Sequence, residues 1–262
     1  MGRASLMQVG RRRPVRGAAL LAGVLALVCV AGCGARDPDR ARSGEGRGGR
    51  GAAAVSAEGS AERLERDGTT ITVGDSAAEH AFMLYEDPRC PVCQEFELTG
   101  GAKTIMASVR KGELRVQYTL ASFLDDRLGG HGSVKAVNAL RAALEQGKFA
   151  EYHDVLYANQ PPEEVDGFTD GELLALASKV PGLRSERFDS AVRTMRYRDF
   201  VEASEKAYEA DGAGGTPELR VDGIVLPDGA RGLIFDKEST SKLIDIAMGR
   251  FRPDPPRMPA EG

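Results

Sequence analysis

The chain has no tryptophan, three histidines and four cysteines in 262 residues. It has no second Cys-x-x-Cys and no His-x-x-x-His, and His80, His131 and His153 are scattered. A four-ligand zinc centre built on Cys90 and Cys93 would need two more ligands, which no motif supplies. The apolar stretch Gly17–Val30 is too short to span a bilayer comfortably. Basic charge is missing as well. The formal net charge is −4, and without residues 1–33, which carry five arginines and no acids, it falls to −9. That balance excludes nucleic acid as an expected partner and excludes electrostatic attachment to anionic lipid.

What is present centres on Cys90-Pro91-Val92-Cys93. The run Ala81-Phe82-Met83-Leu84-Tyr85 before it suits a buried strand. From Cys93 to Lys111, Phe96, Ile105, Met106 and Val109 recur at roughly helical spacing. Pro91 fits the first helical position, where a missing N–H costs nothing. Cys90 is thereby expected at the helix N-terminus, where free N–H groups and the positive end of the macrodipole favour a thiolate. Cys93 follows one turn later on the same face, about 5 Å away, which a disulfide accepts. One sulfur exposed and ionised, with the other close enough to resolve a mixed disulfide, is what exchange chemistry requires. A static disulfide and half of a metal site are the alternative readings of the motif itself.

Residues 1–33 read as a targeting segment. Arg11, Arg12, Arg13 and Arg16 form a basic region, Gly17–Val30 an apolar one, and Val30-Ala31-Gly32-Cys33 resembles a bacterial lipobox. Cys33 is then the expected lipidation site and mature N-terminus, and its acyl chains would anchor the protein on the outer face of the cell membrane. The other reading is an ordinary secretory signal with a nearby cysteine. With Cys29 removed and Cys33 lipidated, Cys90 and Cys93 have only each other as intramolecular partners. Residues 34–65 balance six arginines against six acids, lack aromatics and read as a disordered tether. The folded part is expected over 66–250, with a disordered tail over 251–262.

Within that part, Thr69–Val73, His80–Tyr85 and Leu114–Leu120 read as strands, and the last two with the intervening helix suggest a βαβ unit. About residues 125–211 the pattern is helical. Ser133 is the expected cap of one helix, and Thr169-Asp170-Gly171-Glu172 has the spacing of a capping box. Glu218–Val221 and Ile224–Leu226 flank Asp222-Gly223, a hairpin signal, and a last helix covers about Ser239–Met248. Thr216-Pro217 stands before the hairpin, as an ordinary loop proline or a cis-proline in a tight turn.

The order strand, Cys-Pro-x-Cys, helix, strand, helical insertion, Gly-Thr-Pro, hairpin, helix resembles the DsbA-type branch of the thioredoxin-fold oxidoreductases. The resemblance covers about residues 66–250. The segment Gly147-Lys148-Phe149-Ala150-Glu151-Tyr152-His153-Asp154-Val155-Leu156-Tyr157-Ala158-Asn159-Gln160-Pro161 is similar to the insertion of secreted bacterial members. The resemblance implies an α/β, thioredoxin-like fold with a helical insertion between the βαβ half and the C-terminal hairpin and helix. It implies a cis Thr216–Pro217 bond beside Cys90, peptide binding on that loop, and an exchanging Cys90 with a resolving Cys93. The implied partners are thiol- or disulfide-containing protein substrates and a recycling redox partner. No metal, flavin or nucleotide cofactor is required.

The chain also departs from that pattern. Val92 stands where the strong oxidants carry histidine, so a less oxidising pair than DsbA is expected. Leu84 occupies the position at which thioredoxins place a buried carboxylate. Glu86 or Asp87 is the substitute proton acceptor, although Asp87-Pro88 also reads as a plain turn. Glu218, after the proline, reads either as an inward carboxylate that would raise the Cys90 pKa or, the favoured reading, as a solvated one. His131 and His153 read as structural or solvated, and the missing tryptophan removes a common landmark of thioredoxin sites.

Overall fold

The computed structural model describes residues 54–55 and 61–250. The expected signal segment, Cys33, most of the tether and the tail 251–262 lie outside the described residues. The described residues fall within one unit. Its strands are β1 (Ala54–Val55), β2 (Ala61–Leu64), β3 (Ile71–Val73), β4 (His80–Glu86), β5 (Leu114–Leu120), β6 (Glu218–Val221) and β7 (Ile224–Val225). They form one sheet in the order β1-β2-β3-β5-β4-β6-β7. β4 and β5 run parallel, with Phe82 opposite Val116 and Leu84 opposite Tyr118. Parallel strands need a crossover, and here it contains α1 (Pro91–Leu98) and α2 (Ala102–Arg110). On its other edge β4 pairs antiparallel with β6, placing Leu84 opposite Leu219 and Tyr85 opposite Glu218. The β6–β7 turn has positive φ at both Asp222 and Gly223, the geometry that the Asp-Gly pair favours.

The insertion contains α3 (Leu124–Leu128), α4 (Gly132–Leu144), α5 (Phe149–Ala158), α6 (Asp170–Ala177), α7 (Glu186–Arg193) and α8 (Arg198–Ala210). α9 (Lys237–Ala247) closes the described chain after a 3-10 helix over Asp228–Phe235. Phe82, Phe96, Leu114, Val137, Phe149, Tyr152 and Phe188 are all buried in one continuous apolar cluster. The insertion therefore shares the core of the sheet and is not a separate lobe. α5 packs on α1, and α2 and α8 pack on β5. The capping box expected at Thr169 forms: Thr169 Oγ1 accepts from Glu172 N at 3.4 Å, and Glu172 Oε2 accepts from Thr169 N at 2.9 Å.

Three local expectations are corrected. The stretch read as tether is ordered at Ala61–Leu64, which pairs with β3. The cause is long-range: buried Glu62 accepts from the Phe149 and Ala150 N–H groups at 2.8 and 2.9 Å, satisfying two orphan donors of α5. The run Cys93–Lys111 is two helices, broken at Gly100-Gly101. A Cβ on Gly101 would lie 2.7 Å from the Ile234 carbonyl oxygen, so the chain bends where it touches the 3-10 helix. Ser133 is not the cap of α4. Asp125 takes that role, accepting from Ser133 N at 3.0 Å and Val134 N at 2.9 Å. Ser133 Oγ is thereby free to donate to Asp87.

Candidate active site

Cys90 is the N-cap of α1 and Pro91 its first helical residue. Cys90 Sγ accepts from Cys93 N at 3.4 Å. Across a gap in the chain, the cis Thr216–Pro217 bond brings the Thr216 carbonyl oxygen 3.3 Å from Cys90 Sγ. That carbonyl takes the thiol hydrogen when Cys90 is protonated. A cavity of about 170 Å³ adjoins the loop, lined in part by Gly215, Thr216, Pro217 and Leu226. Val92 is 44 % exposed, Cys90 6 % and Cys93 0 %.

Both thiols are buried, Cys90 too, where one exposed sulfur was expected, and they differ in acidity. Cys90 is lowered to about 6, first by the hydrogen bond from the Cys93 side chain, then by the Thr216 side chain and the Cys93 and Val92 N–H groups, against the opposing effect of burial. Cys93 is pushed well above 9, first by burial, then by its bond to Cys90 and by the charge of Glu86. Both are free thiols. One helical turn thus holds a sulfur suited to be a thiolate and a sulfur suited to keep its proton.

Behind Cys93 lies a buried acidic cluster. His153 Nε2 is 2.9 Å from Glu86 Oε2, and His153 Nδ1 is 4.0 Å from Glu97 Oε2. Burial holds both carboxyls well above their ordinary range, and at Glu97 the charge of Glu86 adds to the rise. Glu86 Oε1 and Glu97 Oε1 have no hydrogen-bond partner among the described residues. One potential ligand atom from each of Glu86, Glu97 and His153 lies within 4.8 Å of the others, the spacing of a possible metal site. The 2.9 Å contact already occupies one imidazole nitrogen, so this geometry fits a shared proton better than a shared cation.

The turn before Cys90 is fixed by the insertion. Asp87 Oδ1 accepts from Arg89 N at 2.9 Å and Ser133 Oγ at 2.6 Å, and Oδ2 accepts from Leu124 N at 3.0 Å. Burial raises Asp87 to about 7 against these bonds. Arg89, wholly buried, donates to Asp125 at 2.7 Å and to the Gly129 and Glu163 carbonyls. Gln160 Nε2 donates to the Pro88 and Cys90 carbonyls at 2.7 and 3.0 Å.

Cys90, Cys93, Thr216 and Pro217 therefore meet in one place, while Cys33 lies outside the described residues. Glu218 is buried, not solvated: it accepts from Gly214 N at 2.8 Å and pairs with Arg220 at 2.7 Å. Asp87 is more than a turn residue, and His153 belongs to the site's buried side. His131 stays exposed at the start of α4. Glu97, Arg89, Asp125 and Gln160 were missed. Spacing held a signal for two of them: Glu97 lies four residues after Cys93 on α1, and Gln160 continues the face of α5 bearing His153 and Tyr157.

This arrangement of sheet, Cys-Pro-x-Cys helix, cis-proline loop and helical insertion defines a DsbA-type thioredoxin-like fold. A thioredoxin family, Thioredoxin_4, matches residues 66–244, and the chain belongs to it. Solved structures share the fold at low identity. BdbD from Bacillus subtilis superposes with a TM-score of 0.59 at 20 % identity, covering 71 % of this chain and 96 % of BdbD. MdbA from Corynebacterium diphtheriae, described as a thiol-disulfide oxidoreductase, gives 0.55 at 22 %, covering 70 % and 90 %. DsbA from Mycobacterium tuberculosis, in its reduced form, gives 0.51 at 21 %, covering 67 % and 94 %. A 125-residue stretch is 32 % identical to the serine/threonine-protein kinase PknE of Mycobacterium tuberculosis; it is 45 % of this chain and only 22 % of that kinase.

Proposed function

We propose that the protein is an extracytoplasmic thiol–disulfide oxidoreductase that exchanges disulfides with protein substrates through Cys90 and Cys93. The observation that carries this reading is the opposed acidity of two thiols one helical turn apart, with the acidic one facing the Thr216–Pro217 loop. In the reducing direction the Cys90 thiolate attacks a substrate disulfide and expels one substrate thiolate. Cys93 gives its proton to a nearby base, attacks Cys90 Sγ and expels the second substrate thiolate, leaving the Cys90–Cys93 disulfide. Oxidation runs the same steps backwards. Glu86, whose charge acts on Cys93, is the base placed to take the proton. The extended substrate backbone pairs with the Thr216–Pro217 loop in the manner of strand addition, and a separate redox partner resets the pair.

The deciding measurement is the reduction potential of Cys90–Cys93 in glutathione buffers. A value between about −120 and −180 mV marks an oxidant or isomerase, and one near about −270 mV a reductant. A pair still oxidised well below about −300 mV is a structural staple, and the protein is then a binding lipoprotein.

Anchoring at Cys33 on the outer face of the cell membrane is the accompanying part of the proposal, supported by the sequence Val30-Ala31-Gly32-Cys33. Among the described residues no helix is long and apolar enough to cross a membrane. Metabolic labelling with a radioactive fatty acid should mark the wild type and not a Cys33→Ala variant. An unlabelled wild type found in the medium would mean plain secretion.

A further inference from the structure

Thiol exchange at a buried pair has a proton problem that is separate from the sulfur chemistry. Cys93 is wholly buried and must lose a proton in one direction and gain one in the other. While a substrate covers the face carrying Cys90 and Thr216, that proton cannot leave the same way. The structure holds a second opening. A cavity of about 190 Å³ lies between α2, β5 and α5, and its walls include Glu97, His153 and Asp154. It shares no lining residue with the cavity beside Pro217.

We propose that Glu86, His153 and Glu97 form a proton outlet connecting Cys93 to solvent through this second cavity. The inference rests on the oxidoreductase reading and adds a route to it. Glu86 ends β4 directly before the active-site turn, and its Oε1 has no partner among the described residues. Its Oε2 touches His153 Nε2 at 2.9 Å. The other ring nitrogen of His153 is 4.0 Å from Glu97 Oε2, and Glu97 reaches the cavity wall. Imidazole can accept a proton at one nitrogen and release one from the other, so a small tilt of the ring that closes the 4.0 Å gap to Glu97 lets it pass a proton from one carboxyl to the other. Glu97, on the same helical face as Cys93, holds the exchangeable proton nearest the cavity.

Other charged and titratable groups face the cluster. Tyr118 on β5 and Tyr157 on α5 pack at a steep angle against His153, with ring centroids 5.0 and 4.8 Å away. Cys90 and Asp154 add negative charge when ionised, which opposes deprotonation of the carboxyls. Lys103 and Arg110 on α2 and Glu151 on α5 line the cavity. The step balances without any added oxidant. Cys93–SH transfers H⁺ to Glu86 as Glu86 passes its own proton to His153 Nε2, His153 Nδ1 releases one to Glu97, and Glu97 gives its own proton to water in the cavity. The Cys93 thiolate then forms the S–S bond with Cys90 as the Cys90–substrate S–S bond breaks.

The test uses the reduced full-length protein mixed with oxidised glutathione, quenched in acid and read by mass spectrometry. The glutathione mixed disulfide on Cys90 and its decay to the internal disulfide are followed separately against pH. Glu97→Gln and His153→Ala should form the mixed disulfide at the wild-type rate but resolve it about 10²-fold more slowly near neutrality, the scale of a lost general base. Free imidazole, entering through the cavity, should restore resolution in His153→Ala and not in Glu97→Gln. If His153→Ala does not fold, near-isosteric Glu97→Gln carries the test through its pH profile, in which the deficit must shrink as pH rises. Wild-type resolution in both variants overturns the outlet, as does slow resolution in His153→Ala that ignores imidazole. Tight one-to-one Zn²⁺ binding by a Cys90→Ser, Cys93→Ser protein, lost on adding Glu97→Gln, also overturns it in favour of a metal site. Failure of wild-type Cys90 to form any mixed disulfide would defeat the oxidoreductase reading itself, a different result from any of these.

Discussion

The two sides of α1 are built from the same short helix and differ in nearly every property. On the open side Cys90 meets the Thr216 carbonyl, the Cys93 side chain and the Cys93 and Val92 N–H groups, and its thiol is made acidic. On the closed side Cys93 meets Glu86, with Glu97 and His153 beyond it, and its thiol is made weakly acidic. Hydrogen bonds to the sulfur, first from the Cys93 side chain and then from Thr216 and the backbone N–H groups, do the work on the first side, and burial, the bond to Cys90 and carboxyl charge on the second. The difference teaches that Cys-x-x-Cys becomes a directional device only when the groups around it treat the two sulfurs unequally.

The largest expected effect comes from removing one sulfur at a time. Cys90→Ser should reduce glutathione exchange to the uncatalysed background in a stopped-flow assay. Cys93→Ala should keep attack at Cys90 and accumulate its mixed disulfide, visible as an added mass of one glutathione. Equal loss in both variants, with no trapped adduct, would erase the distinction between the two sides.

Next comes the support that both sides share. Arg89 is buried with a 2.7 Å ion pair to Asp125 and two carbonyl acceptors, clamping the active-site turn to α3 and to the segment after α5. Arg89→Met strands the Asp125 charge and two carbonyl oxygens, a change that should cost about 3–5 kcal/mol in urea unfolding of the reduced protein. With the turn loosened, Cys93 should also begin to react with iodoacetamide at neutral pH. A variant of unchanged stability would mean that the insertion does not hold the turn.

The sequence carried much of the open side and little of the closed side. Cys90, Pro91 and Cys93 are adjacent in the chain, and Pro91 at the first helical position is a local rule. The β4–α–β5 crossover, the Asp222-Gly223 turn and the Thr169 box were legible for the same reason. The cis state of Pro217 was legible only through family resemblance, since local chemistry left it open. Glu86, Glu97 and His153 lie on β4, α1 and α5, and their contacts form only when α5 packs on α1. Ser133 and Glu62 misled for one reason: each bonds a distant partner, Ser133 to Asp87 and Glu62 to the start of α5. Capping and composition rules see only near neighbours.

The pH dependence of the thiols follows from the same inequality. Cys90, lowered from 9 to about 6, should show an iodoacetamide rate rising with a midpoint near pH 6, while Cys93 stays unreactive below pH 9. Because the folded value is depressed, ionised Cys90 stabilises the reduced fold. That contribution is fully present above pH 9 and is lost as pH falls from 9 through about 6. Unfolding titrations of the reduced wild type and Cys90→Ser, repeated at pH 5.5 and about 8, should therefore diverge at the higher pH. Curves that stay parallel would show that Cys90 is not the acidic thiol.

The smallest expected effect tunes one side only. Val92 is 44 % exposed and offers Cys90 its backbone N–H but no side-chain donor. In Val92→His an imidazole at this position can hydrogen-bond the Cys90 thiolate and, when protonated, pair with its charge, stabilising the reduced form. One charge-assisted contact of about 1.4 kcal/mol corresponds to about 30 mV in a two-electron couple, so the potential should rise by roughly that amount. The iodoacetamide midpoint of Cys90 should move below 6 in parallel, with the reactivity of Cys93 unchanged. A rise in potential without a shift in that midpoint would mean that the substitution acts through the closed side, and the separation of the two sides of α1 would not hold.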